Sequence, residues 1–395
     1  MKLVITGAGI VSAIGIGKEA TLQHLQAQKT GIAPVQYLQT AHQDTLVGEV
    51  KYANYQLKEQ VGIAPTVPMS RTAMLGVLAL REALQQAGLP LDAVKDCPLI
   101  SGTTVGGMDK SEQHYLSFFT ESSPAQYIKI HDCGSSTEQM AEQVGGFNML
   151  TTLSTACSSA ANAFVLGANM LLTGEAQCVV VGGSECLSKF HLNGFKTLMI
   201  VDGDYCKPFD ANRAGLNLGE GAAFMVLETE QSAQKRGATI LAYLSGYGNA
   251  CDAHHQTASS PTGDGAYLSM SQAVEMAGLQ PADISYVNAH GTGTPNNDPS
   301  ECVAMSRLFG NQLPPFSSTK GFTGHTTSAS GAIELVISLL ALQHQFLPVS
   351  LHWQTPFDPQ YIPVTQSTPA QPLKHVLCNS FGFGGNDTSL ILSLV

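Results

Sequence analysis

Four segments of the chain hold residues whose types and settings suit nucleophilic chemistry and its support: one with a cysteine, two with a histidine and one rich in glycine and phenylalanine. The first, TACSSAANAF, carries Cys157 between a short β-branched run and a stretch rich in Ala, Gly and Asn. That pattern predicts a strand-to-helix turn with Cys157 at the helix start. Free N–H groups and the positive end of the helix dipole there favour thiolate, the nucleophilic form. The same N–H groups suit an oxyanion formed as an acyl group transfers. The small side chains that follow predict a helix buried at close approach to its neighbours. Structural burial is the ordinary fate of a free cysteine. Cys97, Cys178, Cys186 and Cys378, in strand-like apolar surroundings, are read that way.

Two histidines stand in glycine loops after short β-branched runs. In VNAHGTGTPNND, His290 falls on the C-terminal lip of a buried strand, where α/β proteins hold ligands. Gly291 and Gly293 permit close backbone approach, and Thr292 and Thr294 offer hydroxyls to an amide-bearing substrate arm. In SSTKGFTGH, His325 leads into a helix bearing Glu334, and Lys320 with Glu334 predicts an internal ion pair that anchors the loop. A helix start disfavours imidazolium, so a neutral His325 with an N–H to donate is expected. The fourth segment, NSFGFGGND, sets Phe381 and Phe383 among glycines. It reads as a glycine-rich β-turn or as a mobile gate over an apolar channel.

Residue types alone leave each histidine the alternative of a satisfied core residue, and spacing does not bring either one to Cys157. His24, His42, His114, His344 and His352 are read as ordinary core or surface residues. His254 and His255 adjoin in a polar loop but lack a third ligand at metal spacing, so no metal is expected.

The elements that must position these groups follow from the apolar pattern. Short β-branched runs bounded by glycine, at Leu3–Ile5, Cys97–Ile100, Cys178–Val181, Ala223–Leu227, Ile284–Val287 and Val376–Cys378, predict strands covered on both faces. Helical stretches at Arg71–Ala87, Ala160–Leu172, Tyr267–Ala277, Ser300–Leu308 and Ala332–Gln343 alternate with them, which predicts a mostly parallel sheet. CVVVGGS and ISYVNAHG each follow a helix, a faint internal echo. The polar run Glu228–Gly237 suggests a boundary between two similar halves, 1–232 and 233–395.

Composition narrows the class. The chain has 395 residues, 44% of them apolar and only 12% charged, enough to bury a large core and to exclude disorder as its main state. Basic residues number 19 and acidic ones 30, a net charge of −11. That balance argues against nucleic acid or an anionic membrane as the main partner. Apolar runs such as Ala222–Leu227 are too short to cross a bilayer, and the N-terminus reads as a first strand rather than a signal peptide. Nine cysteines, none in a Cys-x-x-Cys pattern, fit a reduced cytoplasmic protein.

Taken together, the segments resemble the β-ketoacyl-acyl carrier protein synthases of the decarboxylating Cys-His-His type. TACSS, KPFDANRAGLNLGEGAA, NAHGTGTPNND, STKGFTGH with a following GAIE, and NSFGFGG occur in the expected order over nearly the whole chain. The resemblance implies the α/β thiolase fold, two related halves in a five-layered αβαβα arrangement with mixed five-stranded sheets, and a dimer. It implies an acyltransferase running a ping-pong decarboxylative Claisen condensation that lengthens an acyl chain by two carbons from malonyl carrier protein.

By the same resemblance Cys157 is the nucleophile. His290 and His325 are the pair for decarboxylation, and Lys320 and Glu334 are supporting charges. Thr292 and Thr294 are contacts to the phosphopantetheine arm. Phe383 is the gate with Phe381 beside it, and the backbone N–H groups of Cys157 and Phe383 form the oxyanion hole. No cofactor is implied beyond the phosphopantetheine of acyl carrier protein.

Two departures bear on the pathway. GGNDTSL stands where fatty-acid synthases usually have Thr-Asn after the paired glycines, and TTSASGAIE stands where LGAAGA-like residues are usual. They point to a dedicated pathway such as a type II polyketide or aryl polyene system, with a homodimer or a heterodimer with a chain-length-factor-like subunit. A non-elongating ketosynthase-like subunit and another thiolase-fold acyltransferase are the alternatives. Lys58, Arg71, Lys196, Lys207 and Arg213 are the candidates for docking an acidic carrier protein.

Overall fold

The computed structural model describes residues 1–121, 124–310 and 312–395. Ten strands carry the fold: β1 Leu3–Ser12, β2 Pro98–Gly102, β3 Met149–Leu153, β4 Cys178–Glu185, β5 Gly221–Thr229, β6 Ala242–Cys251, β7 Tyr286–Asn288, β8 Phe316–Ser317, β9 His375–Gly382 and β10 Asn386–Ser393. They lie in one hydrogen-bonded path, β8-β7-β9-β10-β6-β1-β5-β4-β2-β3. Each half uses its five strands in the order third, second, fourth, fifth, first. In each, the second strand is parallel to the third and fourth, and the remaining pairs are antiparallel. The faint sequence echo thus corresponds to a repeated topology.

The expected mostly parallel sheet is corrected to a mixed one. From β9 through β4 every junction is antiparallel, because hairpins and returning strands, rather than helical crossovers, link the strands that meet at the centre. In the sheet, the halves pair through β1 and β6, with Val4 opposite Tyr243 and Ile5 opposite Ala242.

Six helices matter for the site: α1 Arg71–Ala87, α2 Ser159–Thr173, α3 Lys189–Thr197, α4 Asp264–Met276, α5 Asn297–Phe309 and α6 Ser330–His344. Helices α2 and α6 pack on each other and touch strands of both halves, whereas α1 covers the outer face of β1, β5 and β4, and α4 covers β6 and β10. The result is five layers, α-β-α-β-α. A helix enclosed on all sides must be apolar all round. Accordingly every residue of α6 from Ser330 to Leu342 is buried. The segment Ala156–Thr173 is long and apolar enough to cross a membrane, and 61% of it is buried within this central layer. Small residues let α2 sit tightly, as expected: a Cβ on Gly102 would lie 2.5 Å from the amide nitrogen of Ala160.

The polar run around Glu228 is more than a linker. Glu228 is fully buried on β5, paired with Arg236 at 2.5 Å and bonded by the Thr6 hydroxyl at 2.6 Å. The charges that made the run look exposed tie the inter-half connection back to β1.

Candidate active site

The strand β3 runs out at Leu153, and the chain turns through Thr155 and Ala156 before α2 begins at Ser159. Ala156 takes a φ of 52°, a left-handed conformation that is strained for a residue with a Cβ. Local bonds hold the elbow: the Ser159 hydroxyl donates to the Ala156 carbonyl at 2.6 Å and accepts from the Thr155 N–H at 2.8 Å. The elbow delivers Cys157, 4% exposed, to the wall of a cavity of about 290 Å³.

Burial changes the acid–base state expected for this thiol. Desolvation pushes Cys157 up to about 12, against the opposing pull of the Lys320 charge and of the Phe383 N–H that points at the sulfur. The expected low-pKa thiolate is therefore corrected: the resting group is a thiol, because removing water costs an anion more than the helix start and the Lys320 charge return.

His325 brings an imidazole nitrogen to the thiol. Its Nε2 stands 3.1 Å from the Cys157 sulfur. Its Nδ1 is buried and has no hydrogen-bond partner among the described residues. The His290 ring lies beside it, centroid to centroid 5.3 Å and nearly perpendicular. Burial first, then the Lys320 charge, holds both imidazoles well below the usual histidine range, so both are neutral. The neutral His325 was expected from a helix end, but desolvation is the cause.

Lys320 and Glu334 form the expected ion pair at 2.5 Å, both nearly inaccessible. Lys320 Nζ also donates to the backbone oxygen of His290 at 2.5 Å and faces His290 Nδ1 at 3.4 Å. An ammonium has no acceptor, so Nδ1 is the bare nitrogen and the ring proton sits on Nε2.

The backbone of the His290 loop is pinned by two carboxylates that sequence reasoning missed. Glu301 accepts the N–H groups of His290 and Gly291, each at 2.8 Å, and Asp298 accepts that of Gly293 at 3.1 Å. Both lie one turn apart on α5, directly after the loop, a spacing that could have identified them. Gly291 is required sterically: a Cβ there would lie 2.6 Å from that of Ser318. Thr292 and Thr294 are buried, line the cavity and bond each other through their hydroxyls at 2.8 Å.

The C-terminal glycine segment is a hairpin turn between β9 and β10 that closes the cavity. Phe381 lies 5.7 Å from the His290 ring, and Phe383 at the tip stacks on Phe195 of α3 at 5.8 Å. Phe195 was not anticipated. Nor was a polar knot at the hairpin base: the Asn386 side-chain oxygen lies within hydrogen-bonding reach of the Ser158 hydroxyl, Asn162 and Asn249 at 2.8, 2.7 and 3.1 Å. It locks the turn to the helix that presents Cys157.

The cysteines set aside as structural, Cys97, Cys186 and Cys378, are buried, and Cys178 is half-buried on β4. Among the described residues no cluster of three metal-ligating side chains occurs.

The docking candidates fare unevenly. Arg71 is buried and paired with Glu220 at 2.6 Å, so it is unavailable to a partner: it ties α1 to the segment before β5. Arg213 is spent on the carbonyls of Thr294 and Asp210 and on the Phe357 ring. Lys58 donates to the carbonyls of Pro65 and Val67, and Lys207 pairs with Asp204 at 3.0 Å. Lys196 lies half-exposed at the end of α3.

Residues 1–233 match the family model of the beta-ketoacyl synthase N-terminal domain, and residues 241–354 that of the C-terminal domain. The 3-oxoacyl-[acyl-carrier-protein] synthase 2 of Staphylococcus aureus (strain MRSA252) is 30% identical over 408 residues, covering 99% of this chain and 98% of its own length. That of Coxiella burnetii is 31% identical over 417 residues, covering 100% and 99%. Among solved structures, the ishigamide ketosynthase/chain length factor superimposes with a TM-score of 0.91 at 29% identity, over 100% of this chain and 99% of that one. A ketosynthase (ApeO) in complex with its chain length factor (ApeC) from Xenorhabdus doucetiae gives 0.83 at 29%, over 100% and 98%. The chain belongs to the β-ketoacyl synthase family and is an acyltransferase of the thiolase fold.

Proposed function

We propose that Cys157, His290 and His325 carry a two-stage decarboxylative condensation between an acyl group and malonyl carrier protein. In the first stage His325 Nε2 draws the proton from the thiol as sulfur attacks the acyl thioester. The tetrahedral oxygen is held by the N–H groups of Cys157 and Phe383, and the phosphopantetheine thiol leaves with a proton. In the second, the malonyl C–C bond breaks to give CO₂ and an enolate, whose oxygen is held in a dry pocket by the Nε2–H of His290 and by His325 after its ring proton has passed from Nδ1 to Nε2. The enolate carbon attacks the acyl-Cys157 carbonyl, the sulfur departs, and one proton is taken up to restore the thiol.

The observation that carries this reading is the 3.1 Å approach of His325 Nε2 to the Cys157 sulfur, with the His290 ring at its side. Lys320 and Glu334 hold the His290 loop and fix that ring's proton on Nε2. Thr292 and Thr294 bind the arm, and Phe381 and Phe383 shape and gate the entrance. The site needs no metal or bound cofactor beyond the arm carried by the substrate.

The carrier protein is the partner, and a second subunit completes the assembly. The likeness to a ketosynthase held with its chain length factor supports a heterodimer of that kind and a dedicated polyketide or aryl polyene pathway. Exposed Tyr115, Leu116 and Phe119, together with Met149 and Leu150 on the edge strand β3, support a subunit contact in the N-terminal half. The halves 1–232 and 233–395 act as one unit in the cytoplasm, with neither nucleic acid nor membrane as partner.

The test is intact-protein mass spectrometry after incubation with mixed acyl carrier proteins. An acyl adduct on wild type that Cys157→Ala abolishes is the expected result. Chain extension by the purified Cys157→Ala variant would end the reading.

A further inference from the structure

Asp387 is a carboxyl that the reaction above does not use. It is the second residue of β10, opposite Phe381 in the gate hairpin, 5% exposed, and it lines the same cavity as Cys157 and His290. Its side chain has no hydrogen-bond partner among the described residues. Its neighbour Asp252 is fully engaged, accepting the Ser260 N–H and hydroxyl, each at 2.6 Å, and the Gly265 N–H at 3.0 Å. Room for Asp387 exists only because residue 265 is glycine: a Cβ there would lie 2.3 Å from Asp387 Oδ2.

A buried carboxylate without donors is costly, whereas a carboxylic acid is tolerated and becomes a donor itself. Burial and then the Asp252 and Glu301 charges push Asp387 up to about 8. The charges that act on it are Asp252, directly after β6, and Glu301 from α5, and the neutral His290 lines the same cavity; Asp264, on the exposed first turn of α4, is paired with Arg307. The cavity wall it belongs to is polar, with Ser259, Thr292, Thr294 and Asn296, and contrasts with the apolar wall of Phe195, Leu198, Ile200 and Leu216. The polar wall suits the amide-bearing arm and the apolar wall suits the acyl chain.

We propose that Asp387 is a binding residue for the carrier arm, its O–H donating to an amide carbonyl of the pantetheine through a contact that only the protonated acid makes. The inference rests on the synthase reading. It predicts arm binding that weakens as the medium becomes alkaline.

The experiment uses the purified full chain, acylated on Cys157, with malonyl-pantetheine as the second substrate from pH 6 to 9.5. For wild type, KM is expected to rise about tenfold across pH 8, the loss of one hydrogen bond to a neutral acceptor, with kcat moving far less. Asp387→Asn keeps a donor that does not titrate, so its KM should stay flat. Asp387→Ala should show the elevated KM at every pH. Glu185, also pushed up to about 8 by burial, lies outside the cavity lining and persists in all three proteins, so its effect would survive in Asp387→Asn. A rise in Asp387→Asn equal to that of wild type would overturn the proposal. Absence of acylation of Cys157 in wild type would instead defeat the synthase reading itself.

Discussion

Lys320 reaches His290 twice, donating to its backbone oxygen at 2.5 Å and facing its ring Nδ1 at 3.4 Å. One buried cation therefore fixes both the position of the loop and the tautomer of the ring, and Glu334 at 2.5 Å keeps that cation in place.

Removing the cation should do two separable things. Lys320→Met leaves Glu334 as an unpaired buried acid and should cost about 3 kcal/mol of stability in urea unfolding, while Lys320→Met with Glu334→Leu recovers most of it. Both proteins should lose condensation by at least about a hundredfold through misplacement of His290. Full condensation in the double variant would show the pair to be structural only.

The thiol state is open to direct measurement. With Cys157 pushed up to about 12, it stays protonated throughout the physiological range. Its alkylation by iodoacetamide, followed by peptide mass spectrometry, should accelerate about tenfold per pH unit from 7 to 9, as the thiolate fraction grows. A plateau below pH 8 would mean that the thiolate forms at rest.

The two histidines should separate by stage. His325→Ala removes the group nearest the sulfur and should slow both acylation and extension. His290→Ala should still acylate Cys157 but lose decarboxylation, read as CO₂ released from malonyl-pantetheine. Equal defects in the first stage would contradict the division of labour drawn from the 3.1 Å contact.

Phe383 stacks on Phe195 across the cavity mouth. Phe383→Ala should change the rate of acyl loading severalfold while leaving the melting temperature within a few degrees, since the side chain is only half-buried. Unaltered loading kinetics would remove it from the gate.

Much of the machinery was legible because it depends on local chemistry. Cysteine before a small-residue helix, histidines in glycine loops and lysine fourteen positions before glutamate are features of adjacent residues, and each appears where the pattern set it. The helix expected at Arg71–Ala87 spans those residues, with the Ser70 side chain capping its start and Gly88 ending it in a left-handed turn. The strand β10 escapes the apolar pattern because it begins inside the glycine segment, at Asn386. Its partner β6 alternates in burial without a strong apolar run.

What the sequence determined by itself was the kind of chemistry and the family, since nucleophile, imidazoles and glycines are chosen by what they must do. Tertiary structure alone decided how those groups behave. Residues 157 and 325 meet only because two halves of repeated topology enclose α2 and α6. That enclosure removes water, and desolvation, a property of the packed interior rather than of any segment, pushes the Cys157 thiol and the Asp387 carboxyl well above their usual ranges.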